Sequence, residues 1–348
     1  MANVKKTRGI RIWIVSLTAV VAVIVCAVLW LGKSYGYDAV VHTRAMVYVR
    51  GSWSAAQLDS ALYAALGDDR AVARVGRMLS LCSFDAAERE GAYAVEPGMS
   101  AWRVALKLSR GSQTPVRVTF NNVRTLDQLT GKIADQLCFS KEELSALLQS
   151  DSVCAELGFT QATLPALFLP DTYEFYWTVS PEDFLKKMAR EYRRYWNGKR
   201  EKQAEAWGLT PVEVATLASI VEEETNKPDE MGTVTGLYMN RLHKNMPLQA
   251  DPTVKFACGD FALRRILKKH LAIESPYNTY RVTGLPPGPI RIASKQAIDA
   301  VLNHQPNDYL YMCAREDFSG YHNFATTLAE HQRNAVRYQR ELNRRGIR

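Results

Sequence analysis

None of the six cysteines forms a Cys-x-x-Cys pair, and the closest two, Cys138 and Cys154, stand 16 residues apart, which excludes a zinc ribbon or a thioredoxin-type redox motif. The six histidines, His42, His243, His270, His304, His322 and His331, show no His-Glu-x-x-His or comparable ligand spacing, so no metal site is expected. There is no Gly-x-Ser-x-Gly elbow for a nucleophilic serine and no phosphate-cradling P-loop, and no cofactor is expected. A large excess of one charge is missing. The 44 Lys+Arg against 36 Asp+Glu leave +8 over 348 residues, which permits an anionic partner without asking for nucleic acid. With 20 glycines and 14 prolines, the chain is neither collagen-like nor of low complexity, and it holds no internal repeat.

What the sequence does have is apolar material, 47% of its residues, enough for a sizeable core and against wholesale disorder. Residues 12–31 carry no charge, with Ser16 and Thr18 as polar interruptions and Trp13 and Trp30 near the ends, where indoles favour a membrane interface. Twenty helical residues at about 1.5 Å each cover the roughly 30 Å hydrocarbon core of a bilayer. A cleaved signal peptide is the competing reading, but the run exceeds the usual ~7–15 residue apolar stretch, and bulky Val25 opposes a lipoprotein signal at Cys26. Lys5, Lys6, Arg8 and Arg11 precede the span, whereas Lys33 and Asp38 nearly cancel beyond it. The positive-inside rule then gives a cytoplasmic tail at 1–11, a span at 12–31, a linker at 32–45 and a body on the far side of the membrane. Five cysteines fall in that body, so at least one has no partner within the chain; they are taken as small buried hydrophobes.

The fold class expected is α+β. Residues 46–110 read as a small module: a β-rich start, a helix near Ser54–Leu66, a strand at Tyr93–Val95, a Pro97-Gly98 turn and a helix capped by Ser100. Residues 111–155 supply a connecting strand at Pro115–Phe120 and two helices, Leu126–Leu137 and Lys141–Leu148. A larger domain occupies 156–348. In it, Ser180-Pro181-Glu182-Asp183 starts a helix whose many Lys and Arg residues form a solvated face.

The chemistry concentrates on one helix. Thr210-Pro211-Val212-Glu213 is a capping box opening the run to Glu224. At about 100° per residue, Leu217, Ile220 and Val221 lie within roughly 60° of Glu224, while Glu222 and Glu223 lie about 160° and 100° away. Of three consecutive glutamates, Glu224 alone continues the apolar stripe. Lost hydration disfavours the charged carboxyl and raises its pKa, which suits a general acid. The plainer reading is an ion pair with an arginine such as Arg241. Downstream lie three strings rich in Asn, Gln, Thr, Tyr and Pro-Gly turns: LQADPTV (248–254), YNTYRVTGLPPGPI (277–290) and YHNFATTLAEH (321–331). They offer amides, hydroxyls and rings to a sugar, or are ordinary turn chemistry.

These strings, together with LASIVEEET, GLYMNRLHKNMPLQADPTV, LFLPDTYEFYW and GAYAVEPGMSAW, resemble the endolytic murein transglycosylases, the MltG or YceG-like family. The match is collinear over nearly the whole exported part. The resemblance implies a single-span anchor in the bacterial inner membrane, a LysM-like module and a catalytic domain. It also implies a lytic transglycosylase that cuts glycan strands of peptidoglycan internally, leaving 1,6-anhydromuramoyl ends, beside the synthases that make the strands. Glu224 maps to the family's catalytic glutamate. Gln249, Asp251, Tyr277, Asn278, Tyr280 and His322 are expected to line the glycan cleft, with Glu222 a further participant. Ala250 stands where the family usually has a small hydroxyl residue, and Phe256 where tyrosine is frequent. The alternatives are a hydrolase using Glu224 with Asp251 as its second carboxylate, and a non-catalytic cell-wall scaffold.

Overall fold

A basic start followed by the uncharged run 12–31 builds the first helix, α1 (Ala2–Gly32), and a π-helical turn, Lys33–Tyr37, continues it. The computed structural model describes residues 2–263 and 265–346, and their side chains except those of residues 2–12 and 14. The basic residues Lys5, Lys6, Arg8 and Arg11, which carry the orientation argument, therefore lie outside the described side chains. Among the described residues, Val15–Tyr37 is the one helical stretch long and apolar enough to cross a membrane; its most apolar part has a mean hydropathy of 2.6 and no burial against protein.

The chain divides into two compact units, the first running to Val116 and including Glu174–Thr178, the second holding Arg117–Tyr173 and the residues from Val179 on. Segment 32–45, expected as a linker, is docked on the first unit. Val40 and Val41 are 3% and 1% exposed, the Val40 amide donates to the Met99 carbonyl at 2.9 Å, and Arg77 Nη1 donates to the Tyr35 hydroxyl at 2.7 Å. Two adjacent valines would be costly to leave in water, and this docking buries both.

The core of the first unit is a β-α-α-β arrangement: β1 (Ala45–Val49), α2 (Ala55–Leu66), α3 (Asp69–Leu81) and β2 (Gly91–Val95). The strands pair antiparallel with Val47 opposite Tyr93, and α4 (Ala101–Ser109), capped by the Ser100 hydroxyl, follows. Helix α3 was not expected from the sequence. Arg70, Arg74, Arg77 and Gly76 obscure its apolar stripe of Ala71, Val72, Val75 and Leu79, while its cap is plain: the Asp68 carboxylate accepts from the amides of Arg70 and Ala71.

The second unit starts within β3 (Val116–Phe120), which pairs with a later strand, β4 (Asp171–Phe175). Between them lie α5 (Leu126–Ala134), α6 (Lys141–Leu148) and α7 (Asp151–Leu157). Then come α8 (Pro181–Tyr195), α9 (Gly198–Ala206), α10 (Pro211–Glu224), α11 (Pro228–His243), α12 (Asp251–Cys258), α13 (Lys268–Leu271) and α14 (Lys295–Leu302). A hairpin of β5 (Tyr311–Ala314) and β6 (His322–Ala325), with Cys313 opposite Asn323, precedes α15 (Leu328–Arg344). Helices with short antiparallel strand pairs make the architecture α+β. Of the cysteines in the body, Cys154 is buried, whereas Cys82, Cys138, Cys258 and Cys313 are half-buried.

Helix α10 is the axis of the second unit. Its capping box forms as the sequence predicts, the Thr210 hydroxyl accepting from the Glu213 amide and Glu213 Oε2 accepting from the Thr210 amide at 2.8 Å. All of Val214–Val221 is buried, so the helix is enclosed on every side rather than along one stripe. Helices α11 and α14 pack on it, and the proline-rich loop is tied to it by the Ile290 amide donating to the Ser219 hydroxyl at 3.0 Å. Gly288 lets that loop pass close to the chain at 162–163: a Cβ there would sit 1.9 Å from the Ala162 carbonyl oxygen. Backbone cannot swing aside as a side-chain tip can. Gly288→Ala is expected to lower stability by about 1–3 kcal/mol, the usual cost of overpacking; an unchanged urea midpoint would show that the loop is free to shift.

Candidate active site

Glu224 ends α10 at a cavity of about 260 Å³ lined by Glu224, Tyr238, Arg241, Gln249, Asp251, Tyr280 and His322, with Leu237, Leu248 and the β5 residues Met312–Ala314 completing the wall. Burial raises the Glu224 carboxyl to about 7. The Tyr238 hydroxyl works against that rise, the charge of Asp251 adds to it, and His322 and Lys255 pull it down. The Tyr238 hydroxyl, itself buried, donates to Glu224 Oε1 at 2.8 Å and so leaves Oε2 as the oxygen without this tether.

The ion pair with Arg241, the plainer reading of Glu224, does not form. Arg241 directs its donors to carbonyl groups: Nε to Leu310 at 2.7 Å, and Nη1 to Pro247 at 3.1 Å and Leu248 at 2.8 Å, with the Gln249 side chain at 3.3 Å. Arg241 thus builds the cavity wall and shapes the turn at Gln249, a non-glycine residue held at φ 54°. Such strained backbone persists where its surroundings over-determine it, often at functional sites.

The residues expected in the cleft separate into two groups. Gln249, Asp251, Tyr280 and His322 join Glu224 at the cavity. Asp251 opens α12, and its Oδ1 accepts from the Tyr280 hydroxyl at 2.6 Å. Tyr277, Asn278 and Glu222 are not in the lining. Tyr277 packs its ring on Phe256, centroids 4.6 Å apart. Asn278 is fully buried, donating to the carbonyls of Leu271 and Ile273 and accepting from the Tyr280 amide at 3.1 Å, so it shapes the loop that carries Tyr280. Ala250, also fully buried, donates its amide to the Thr279 hydroxyl, a structural contact behind the cavity.

Glu222 and Glu223 turn away into an ion network. Glu223 Oε1 accepts from Arg291 Nη1 at 2.8 Å, and both its oxygens accept from Arg124 Nη2 at 2.7 and 2.6 Å. Glu222 Oε2 accepts from the Ser294 amide at 2.9 Å and faces Arg291 Nε at 3.6 Å. The helix end is surrounded, so glutamates off the apolar stripe meet arginines rather than water.

Two contributors escaped the sequence reading: Tyr238, and Arg241 as wall rather than partner. A spacing of 14 residues from Glu224, on a different helix, gives Tyr238 no local signal. Among the described residues, no three His, Cys, Asp or Glu side chains converge as metal ligands would.

Tyr238→Phe removes a hydrogen bond that favours the Glu224 carboxylate, so the carboxyl should titrate above 7. In a reaction that needs the protonated acid, the falling limb of kcat against pH then moves to higher pH, with kcat itself lowered about tenfold through the lost tether. A limb that stays put would separate Tyr238 from the acid.

One ionisable carboxyl, poised near neutrality at a polar cavity, defines an acid/base site. Residues 51–337 match the YceG-like family, and the chain belongs to that family. It is 31% identical to the endolytic murein transglycosylase of Bacillus subtilis strain 168 over 264 residues, covering 71% of this chain and 72% of that protein. With the endolytic murein transglycosylase of Streptococcus pneumoniae strain D39 it shares 27% over 284 residues, 72% of this chain and half of that protein. A 2.6 Å crystal structure of a YceG-like protein from Listeria monocytogenes superposes with a TM-score of 0.57 at 24% identity, over 83% of this chain and 98% of that one, a likeness of fold.

Proposed function

We propose that this chain is an endolytic murein transglycosylase: a lytic transglycosylase that cleaves peptidoglycan strands internally. The observation that carries the reading is Glu224, a carboxyl raised to about 7 by burial at a polar cavity, in a chain of the YceG-like family. Near neutral pH a group of that pKa can both give and take a proton. Protonated Glu224 delivers its proton to the glycosidic oxygen between N-acetylmuramic acid and N-acetylglucosamine, and the bond to muramoyl C1 breaks. The resulting carboxylate takes the proton of the muramoyl C6 hydroxyl as that oxygen bonds to C1. The acid is regenerated, no water is consumed, and a 1,6-anhydro ring ends one fragment. Gln249, Asp251, Tyr280 and His322 are the cavity residues that would hold the sugars, with hydroxyl and amide groups matched to a polyhydroxylated ligand.

The helical stretch Val15–Tyr37 supports a single-span anchor in the cytoplasmic membrane, and the basic residues Lys5, Lys6, Arg8 and Arg11 before it support an N-terminus inside and the chain beyond the span on the outer face, where nascent strands and their synthases are found. The β-α-α-β arrangement and its antiparallel strands support reading residues 46–110 as a LysM-like module, a glycan-binding role resting on analogy of fold. Residues 156–348 are assigned as the catalytic domain.

The position of Asp251 on the same cavity favours one second reading, a hydrolase in which it serves as the other carboxylate. Mass spectrometry of the muropeptides released from purified peptidoglycan by the full chain in detergent micelles separates the two. Internal 1,6-anhydromuramoyl ends are expected; reducing ends would establish the hydrolase.

A further inference from the structure

Glu230 is an acid in the first turn of α11, where a helix N-terminus ordinarily keeps an exposed carboxylate. Here it is only 5% exposed. Its Oε1 accepts from the His322 amide at 2.7 Å, and its Oε2 takes both the His322 ring nitrogen Nδ1 at 2.8 Å and the Thr225 hydroxyl at 2.8 Å. Thr225 is the residue after Glu224, and its hydroxyl also accepts from the Lys227 amide at 3.1 Å. Burial pushes the Glu230 carboxyl up, but the bonds from the His322 ring and amide and from Thr225 outweigh it and hold the group below the usual range. An ionised Glu230 can only accept, so Nδ1 of His322 must be its donor. In the neutral ring Nε2 then carries the lone pair, and His322 lies on the cavity wall with Glu224.

We propose that Glu230 is a positioning residue of this site: it fixes the tautomer of His322 so that Nε2 accepts a sugar hydroxyl at the cavity, and it ties that ring to Thr225 beside Glu224. The inference rests on the transglycosylase reading and deepens it. A carboxylate that binds a ring nitrogen and the neighbour of the acid at once sets their separation, and placement of the reacting hydroxyl depends on that separation. Neither helix alone could do this, since Thr225 follows α10, Glu230 belongs to α11 and His322 opens β6. A glutamine at 230 could donate through its amide nitrogen to Nδ1. The proton would then move to Nε2, and the ring would face the cavity as a donor.

The test compares rates of anhydromuramoyl end formation, against substrate concentration, for the full chain in detergent micelles, Glu230→Gln, His322→Ala and the double variant. Loss of a group that orients a site residue typically costs about 10–100-fold. Glu230→Gln is expected to lower kcat by that order while KM stays within about threefold, and to add less than about twofold once His322 is already alanine. Equal losses in both backgrounds, or a wild-type rate for Glu230→Gln, would overturn the inference alone. No anhydro ends from the wild-type chain would overturn the transglycosylase reading and this inference with it. Should thermal unfolding show Glu230→Gln unfolded, His322→Asn decides. Its amide nitrogen can still donate to Glu230 but offers nothing in place of Nε2, so kcat should fall as in His322→Ala, and a retained rate would be fatal.

Discussion

Glu224→Gln is expected to lower the rate of strand cleavage by about 10²–10⁴-fold, the range general acid–base groups contribute. The amide keeps the shape and can still accept from Tyr238, but it has no proton to give the leaving oxygen and no basic oxygen for the attacking hydroxyl. The same substitution should stabilise the fold. The Glu224 carboxyl titrates near 7 in the folded chain and near 4.3 when unfolded, so between those values the folded state binds more protons. Stability is therefore fully present below about pH 4 and is lost as pH rises through 7, by about 4 kcal/mol in all. Glutamine does not titrate. The variant should match the wild type in melting temperature near pH 4 and exceed it at pH 8. A gap that stays constant with pH would mean that Glu224 is not the desolvated acid described here, whatever the activity shows.

Breaking the network behind the acid should destabilise the fold most. Arg291 is 11% exposed at its side chain and Glu223 16%, and Arg291 holds Glu223, faces Glu222 and donates to Asn122 at 2.8 Å. Removing one partner of a buried ion pair strands the other charge, at a cost of about 3–5 kcal/mol. Because Arg124 still reaches Glu223, Arg291→Met should fall at the lower end of that range, about 3 kcal/mol, read as a shift in the urea midpoint. Cleavage by the folded fraction should persist far better than in Glu224→Gln, since neither Glu222 nor Glu223 lines the cavity. A stability change below about 1 kcal/mol would mark these pairs as solvent-screened contacts.

Local signals were legible in the sequence. The capping box at Thr210, the serine caps at Ser100 and Ser180 and the Pro115–Phe120 strand depend on neighbours within a few residues, and each element forms where that pattern places it. The helical-face argument also isolated Glu224 from Glu222 and Glu223, and the three side chains diverge in space. Its premise was less sound. The stripe marked one apolar face, whereas α10 is enclosed on every side, and the arginines that receive Glu223 come from positions 124 and 291, far along the chain. Glu230 shows the limit most sharply. In sequence it is an unremarked acid in a first turn, and only the return of the chain at His322 gives it a partner. Tyr277 and Asn278 show the converse: polar residues in an Asn/Tyr-rich loop can be consumed in holding the loop itself.

The docking of residues 33–41 also has a mechanical meaning. With the Tyr35 hydroxyl held by Arg77 and Val40 hydrogen-bonded to the turn before α4, the segment that follows α1 is held to the first unit at two points. A flexible tether would let the first unit sample a hemisphere above its attachment point. A helix continued by a segment held at two points has less freedom, so tilt or rotation of α1 is expected to pass in part to the β-α-α-β unit as a change of heading.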